Sequence, residues 1–497
     1  MMNGSGKSDR SVVPRKPANK AAKAAAESVE GRDLAKGNTD GETRPGHRAD
    51  MDAPSELDRV REAARRNKET RFTALLHHVT IERLRGAFLA LRRDAAPGVD
   101  GVTWEQYAEG LEEKLADLHA RLHRGAYRAR PSRRVYIPKP DGKQRPLGIA
   151  TLEDKIVQRA VSDVLNAIYE TDFLEFSYGF RSGRGPHDGL DALATGLLHK
   201  KVNWVLDADI RGFFDAIDHE RLMELVGHRI GDERVLRLIR KWLSAGVMEK
   251  GRWTECEEGT PQGATISPLL ANVYLHYVLD QWAERWRRER ARGDMIIVRF
   301  ADDFVVGFQR RSDAERFQRQ LTARFREYAL ELHPDKTRLI EFGSAAARRR
   351  KRRGEGKPET FHFLGLLHIC AERRSGGFLL ARHTRRERLQ AKLREVKQEL
   401  QRRRHRPIKD QGRWLGSVVR GFLNYHAVPT NGRAIQTFVR RIERHWLRAL
   451  RRRSQRHRMT WKRMQRLSCR WLPRARIQHP YPDDRFFART RGKSPVR

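Results

Sequence analysis

Residues 295–308 read MIIVRFADDFVVGF. The flanks, Met295–Phe300 and Phe304–Phe308, are apolar and largely β-branched, the composition of buried strands. Between them stand two adjacent acids, Asp302 and Asp303. An ionised carboxylate in such surroundings is costly unless positive charge compensates it. A tight turn between two hairpin arms would let the acids reach solvent, but Ala-Asp-Asp lacks the usual Asn-Gly or Asp-Gly signal. Read alone, the acids are either a solvated loop tip or ligands of a metal ion.

A second stretch bears on that choice. In VLDADIRGFFDAIDH (205–219), strand alternation puts Val205, Asp207 and Asp209 on one face and Leu206, Ala208 and Ile210 on the other. Were the two strands neighbours, three or four carboxylates would converge, which is tolerable only with protonation or a counter-cation. Oxygen ligands without nearby His or Cys point to Mg²⁺. Two such ions sharing carboxylates suit phosphoryl transfer. The competing reading has these acids capping turns or pairing with arginines.

The 497 residues contain 103 Lys and Arg against 63 Asp and Glu, a formal net charge of +40. Such an imbalance calls for a polyanion, and nucleic acid is the first candidate. The basic residues are spread along the chain, which disfavours a membrane surface. Three distant cysteines, Cys256, Cys370 and Cys469, exclude a disulfide scaffold and fit a reducing compartment. No apolar run approaches a membrane span, so the expectation is a soluble, cytoplasmic protein.

The chain divides by composition. Residues 1–55, without an aromatic, read as a disordered leader; NGSGKS within it lacks the first Gly and the preceding strand of a phosphate-binding loop. Helical periodicity dominates 56–130, followed by a mixed helix and hairpin region at 131–344, which suggests α+β. Within it, RRVYIPKPDGKQRPLGIA reads as a hairpin with a Pro-Asp-Gly turn. A basic linker is expected at 345–359, a helical domain at 360–472 with an apolar stripe of Leu389, Leu393, Val396 and Leu400, and a basic tail at 473–497.

The order of motifs is specific. PGVDGVTW, IPKPDGKQRPLGIATLEDKIVQ, FSYGFRSGRGPHDGL, DADIRGFFD, EGTPQGATISPLLANVYL, RFADD, LHPDKTRLIEFG and FHFLGL follow one another. In this order they resemble a group II intron-encoded reverse transcriptase/maturase, from about Phe72 to at least Phe487. The resemblance implies right-hand polymerase fingers and palm followed by an α-helical thumb and maturase domain. It implies Asp209, Asp302 and Asp303 as ligands of two Mg²⁺ ions, with Asp207 a neighbour suited to core ion pairing. Phe214 matches the aromatic that excludes a ribose 2′-hydroxyl, and Gln262 with Gly263 the contact to the incoming nucleotide. Lys139, Lys143 and Arg145 lie on the hairpin that should close over the triphosphate, and Lys336 is a candidate general acid. Arg181 and Arg184 could meet template phosphates or the nucleotide. WLGSVVRGFLNYH (414–426), with Arg420 and Tyr425, matches the maturase signature, where arginines among aromatics suit RNA.

The implied partners are intron RNA, a DNA primer or target, and dNTPs, in a nucleoid- or RNP-associated protein. Phe300 stands where the family usually has Tyr, and activity is expected to survive. The paired cysteines and histidines of an endonuclease module are missing, so priming from a nick or a fork end is expected. A splicing cofactor without polymerase activity, or a retron-type or diversity-generating reverse transcriptase, are the alternatives.

Overall fold

The computed structural model describes residues 56–138, 144–249, 252–254, 259, 263–453 and 459–490. The expected leader, and the hairpin tip with Lys139 and Lys143, lie outside the described residues, as does Gln262. No helix among the described residues is long and apolar enough to cross a membrane.

Among the described residues eleven strands form three sheets among long helices, an α+β architecture. They are β1 (Ser132–Pro138), β2 (Gln144–Ile149), β3 (Trp204–Asp209), β4 (Val247–Glu249), β5 (Arg252–Thr254), β6 (Met295–Phe300), β7 (Asp303–Phe308), β8 (Arg338–Glu341), β9 (Phe361–Phe363), β10 (Leu366–Glu372) and β11 (Phe378–Thr384). The first sheet has the order β2-β1-β4-β5, the central one β6-β7-β3-β8 and the third β11-β10-β9. The expected hairpin is β1 against β2, with Ile137 opposite Arg145.

The central sheet is antiparallel throughout and buried on both faces, which accounts for its nearly unbroken apolar strands. Alternation sends Leu206, Ala208, Phe304, Val306 and Phe308 into one core, shared with the helices Leu152–Asp172 and Arg311–Glu327. Val205, Val298, Val305 and Ile340 enter a second core, shared with the helix Pro186–His199 and with Phe361, Phe363 and Leu366.

The turn joining β6 to β7 is built from inside the protein. Phe300 pairs with Asp303, leaving Ala301 and Asp302 as a two-residue turn, with Ala301 in the left-handed region at φ +58°. Arg299, on the last turn-ward stretch of β6, is fully buried. Its Nε and Nη2 donate to Asp280 at 2.7 and 2.5 Å, its Nη1 to Asn272 Oδ1 and the Ala301 carbonyl, both at 2.9 Å, and its Nη2 to Ser177 Oγ at 2.7 Å. The guanidinium offers five N–H groups, and five acceptors meet them. Asp280 closes a π-helical segment, His276–Asp280, between the helices Ser267–Leu275 and Gln281–Glu289. The extra residue of a π turn re-aims the side chains after it, a device common at functional sites. Arg299 thus does for this turn what Asn-Gly chemistry does elsewhere.

A neighbouring segment fits closely against the turn. The Arg299 N–H donates to Phe176 and the Tyr178 N–H to Arg299, both at 2.9 Å. Gly179 then passes so near that a Cβ there would lie 2.3 Å from the Ala301 nitrogen.

Three boundaries differ from the sequence expectation. Much of the expected linker 345–359 is helical (Ser344–Arg352), because Arg349, Arg350 and Arg353 converge on the mostly buried Glu341 at 2.9, 3.9 and 3.1 Å. Residues 361–384 are strands rather than helix, and their apolar face completes the second core. The helical part begins at Arg386, where Leu393, Val396 and Leu400 are buried as the stripe predicts, against Leu415, Phe438 and Trp446. The expected basic tail holds a helix, Pro482–Thr490, tied to Pro186–His199 by Asp483 with Thr195 (3.0 Å), by Arg485 with Asp191, and by the buried Phe486.

The close approach at Gly179 predicts that Gly179→Ala destabilises the protein by at least about 3 kcal/mol through overpacking. Gly183→Ala, at φ +69° with open space around it, should cost only about 1–2 kcal/mol of backbone strain. Urea unfolding of the two variants checks the ranking.

Candidate active site

The register of the central sheet sets Asp209 on β3 directly opposite Asp303 on β7. Asp207 lies two residues back on the same face, opposite Val305 on one side and Arg338 of β8 on the other. Asp302 sits in the turn itself. The two motifs therefore meet, with four carboxyl groups at one end of the sheet.

Their electrostatics follow from that crowding. Burial, then the charges of Asp302, Asp207 and Asp209, push the Asp303 carboxyl up to about 8, and the backbone amide of Leu364 draws it partly back. The residue as a whole keeps some surface, but its carboxyl is enclosed by protein. Burial also raises Asp207, opposed by Arg338, whose Nη2 lies 3.2 Å away. Asp207 is therefore a sheet ion pair, as its position suggested. Asp209 receives the Lys336 ammonium at 2.5 Å, and Lys336 is mostly exposed. The loop carrying Lys336 is pinned to the end of β3, since the His333 N–H donates to the Asp209 carbonyl at 2.8 Å.

This donor set fits a hard divalent cation. Its side-chain donors are carboxylate oxygens crowded at one end of the sheet, and one member is driven towards its neutral form. Among the described residues no three metal-ligating side chains already converge as a cation would require. Lys336 would have to leave Asp209 for that oxygen to take part.

The other residues singled out by sequence are placed as follows. Phe214 lies in a 3₁₀ turn, Phe213–Asp215, entered through Gly212 at φ +56°, and its ring is half-buried against Phe213. Gly259 is seated beside that turn: its N–H donates to the Ile217 carbonyl at 2.8 Å, and a Cβ on it would meet the Phe214 oxygen at 2.8 Å. Gly263 has φ +111°, a conformation that favours glycine. Two residues later the Thr265 N–H donates to Gln158 at 2.9 Å. Arg145 is on β2, partly buried. Arg184 keeps part of its surface and lies over the Tyr178 ring. Arg420 is exposed on the helix Ile408–His426.

Arg181 is a correction. Its guanidinium is buried, paired with Glu170 at 3.0 Å and donating to the carbonyls of Leu174 and Ser177 at 2.7 and 2.9 Å. These contacts brace the segment before Gly179 and leave it unable to face a phosphate. Tyr425 is also tied inward, its hydroxyl donating to the Leu364 carbonyl at 2.6 Å.

Three residues of this site escaped the sequence reading. Arg299 had a visible signal, a charge inside an apolar strand two residues before the turn. Arg338 could have been found as the basic partner for Asp207. Leu364 contributes through its backbone and carried no signal of its own.

Residues 137–368 match the family model described as reverse transcriptase (RNA-dependent DNA polymerase). The chain is 40% identical to protein YkfC of Escherichia coli over 40% of this chain and 53% of that protein. It is 42% identical to the group II intron-encoded protein LtrA of Lactococcus lactis over 34% of this chain and 28% of LtrA. It is 43% identical to a 91 kDa protein in the cob intron of Schizosaccharomyces pombe over 32% and 19% respectively. The chain thus spans about half the length of the first relative and less of the others.

The Asp303 environment has a consequence for pH. An aspartate at about 8 when folded, against about 3.9 when unfolded, binds more protons in the folded state. Its contribution to stability therefore falls as pH rises from about 4 to about 8. Asp303→Asn should raise the melting temperature in metal-free buffer at pH 8, and the gain should shrink as pH falls towards 4. A pH-independent difference, or none at pH 8, would contradict the crowding described.

Proposed function

We propose that this chain, whose residues 137–368 form a reverse transcriptase domain related to those of group II intron-encoded proteins, is an RNA-directed DNA polymerase that also binds intron RNA to assist splicing and mobility. The observation that carries the reading is the register of Asp209 opposite Asp303, with Asp302 in the adjoining turn, inside a domain of that family. In this reading the central sheet is the palm, β1 and β2 belong to the fingers, and the helices after Arg386 form the thumb and maturase part.

Asp209, Asp302 and Asp303 would hold two Mg²⁺ ions. Bound there, magnesium supplies Lewis-acid activation of the primer 3′-hydroxyl and neutralises charge gathering on the departing pyrophosphate. The protein's own part is positional and protonic. Arg145, with Lys139 and Lys143, would offer cations to the triphosphate. The turn carrying Phe214 would put an aromatic ring where a ribose 2′-hydroxyl would stand, favouring deoxynucleotides. Gly263 would let backbone approach the nucleotide, with Gln262 beside it. Lys336, released from Asp209, would deliver the proton on its Nζ to the leaving pyrophosphate oxygen. Arg184 and Arg420 are candidate contacts to template or intron phosphates, within a chain of net charge +40.

Primer extension on an RNA template with a DNA primer, dNTPs and Mg²⁺ tests the reading. The protein should extend the primer, Asp302→Ala with Asp303→Ala should abolish extension, and Phe214→Ala should admit ribonucleotides. Equal inactivity of both proteins, with intron RNA binding intact, would leave the splicing-only reading.

A further inference from the structure

We propose that His219 is a positioning residue for sugar selection: it holds Gly259 against the backbone of the turn that carries Phe214. The inference rests on the polymerase reading and on the place given there to the Phe214 ring.

Gly259 opens the sequence GTPQG, which runs to Gln262 and Gly263. It is buried, with φ +83°, and one short segment takes both of its backbone polar groups. Its N–H donates to the Ile217 carbonyl at 2.8 Å. Its carbonyl lies 2.6 Å from Nε2 of the partly buried His219. A carbonyl oxygen can only accept, so Nε2 is a nitrogen that carries hydrogen. The same glycine lies against the turn itself. A Cβ on it would stand 2.8 Å from the Phe214 oxygen and 3.0 Å from the Asp215 Cα, both of them backbone atoms.

The two ends of this contact differ in firmness. His219 is the first residue of the helix His219–Gly227, which is capped by Asp218 and seated by the buried Leu222 and Val226. The Asp218 carboxylate accepts from the Arg221 N–H at 2.7 Å. Phe214, by contrast, belongs to a single 3₁₀ turn entered through Gly212 in the left-handed region, and 3₁₀ hydrogen bonds have the poorer geometry. Its ring is half-buried.

Gly259, bonded to the helix through His219, therefore backs the Phe214 main chain. A turn so backed cannot retreat towards Gly259 when a nucleotide presses on the ring. A ring free to retreat would make room for a 2′-hydroxyl, the group that separates the two sugars. His219 acts through Gly259 and the Phe214 backbone and does not touch the reacting atoms.

The test compares His219→Ala with His219→Gln in the full chain, since the glutamine amide returns an N–H donor at a similar reach. The discrimination ratio is kcat/KM for adding a dNTP over that for the matching rNTP, on an RNA template with a DNA primer, and Phe214→Ala is the reference. The proposal expects His219→Ala to lower this ratio by about tenfold, the scale of one lost hydrogen bond. The change should come chiefly from better use of the rNTP, and His219→Gln should restore most of the ratio. A merely structural role would slow both nucleotides equally, and that result, or an unchanged ratio, would overturn the proposal. Equilibrium binding of each nucleotide to the complex with a chain-terminated primer repeats the comparison without turnover. A wild-type protein that prefers the dNTP there yet extends no primer would sink the polymerase reading, while the His219→Ala binding ratio would still decide the proposal. A ratio altered by Phe214→Ala and untouched by His219→Ala would leave the reading standing and remove His219 from it.

Discussion

The bond network of Arg299 is the constraint on which the central sheet depends. A guanidinium and a carboxylate taken wholly out of water pay a large desolvation penalty, and their attraction repays it only when the remaining donors are satisfied. Here all five N–H groups have acceptors, contributed by Asp280, Asn272, Ser177 and the carbonyl of Ala301. Loss of one partner from such a pair costs about 3–5 kcal/mol because the other charge is left buried and uncompensated. The position of the pair matters more than its net energy. It ties a π-helical segment, the Phe176–Gly179 stretch and the Ala301 turn to one atom group, so the turn bearing two acids is fixed from three sides.

Fixing the turn concentrates charge. The sheet register then sets Asp209 against Asp303, while Lys336 pairs with Asp209 and Arg338 with Asp207. Asp303 is left with an amide from Leu364 and three acidic neighbours. A protein tolerates this arrangement by protonating the group or by binding a cation. The rigid clamp on one side and the exposed, movable Lys336 on the other give a site that is held in shape yet open to a change of counter-charge.

Much of this was legible in the sequence. Misplaced acids in apolar, β-branched stretches marked the strands of the site, and period-two alternation gave the faces of residues 205–210, because a buried sheet writes its inside and outside into every second residue. The hairpin arms 132–138 and 144–149 were legible for the same reason. Boundaries after residue 344 were less so: a run of arginines reads as a solvated linker until Glu341, brought near by β8, gives it ion-pair partners. Strands β9 to β11 hid in a stretch too short for periodicity to declare itself beside a long helical pattern. Arg181 looked like a phosphate ligand because sequence shows a charge but not where its donors point. The Tyr425–Leu364 link was invisible, since a backbone carbonyl has no letter of its own.

The claim at the centre of this account is that the carboxylates of β3 and the β6–β7 turn are a cation site for polymerisation. Anomalous scattering from crystals of the protein with an RNA template, a chain-terminated DNA primer, a dNTP and Mn²⁺ tests it most directly. The account predicts manganese between Asp209 and the Asp302–Asp303 turn, with the Lys336 ammonium withdrawn from Asp209. Nucleotide bound with no manganese there, and Lys336 still seated on Asp209, would contradict it.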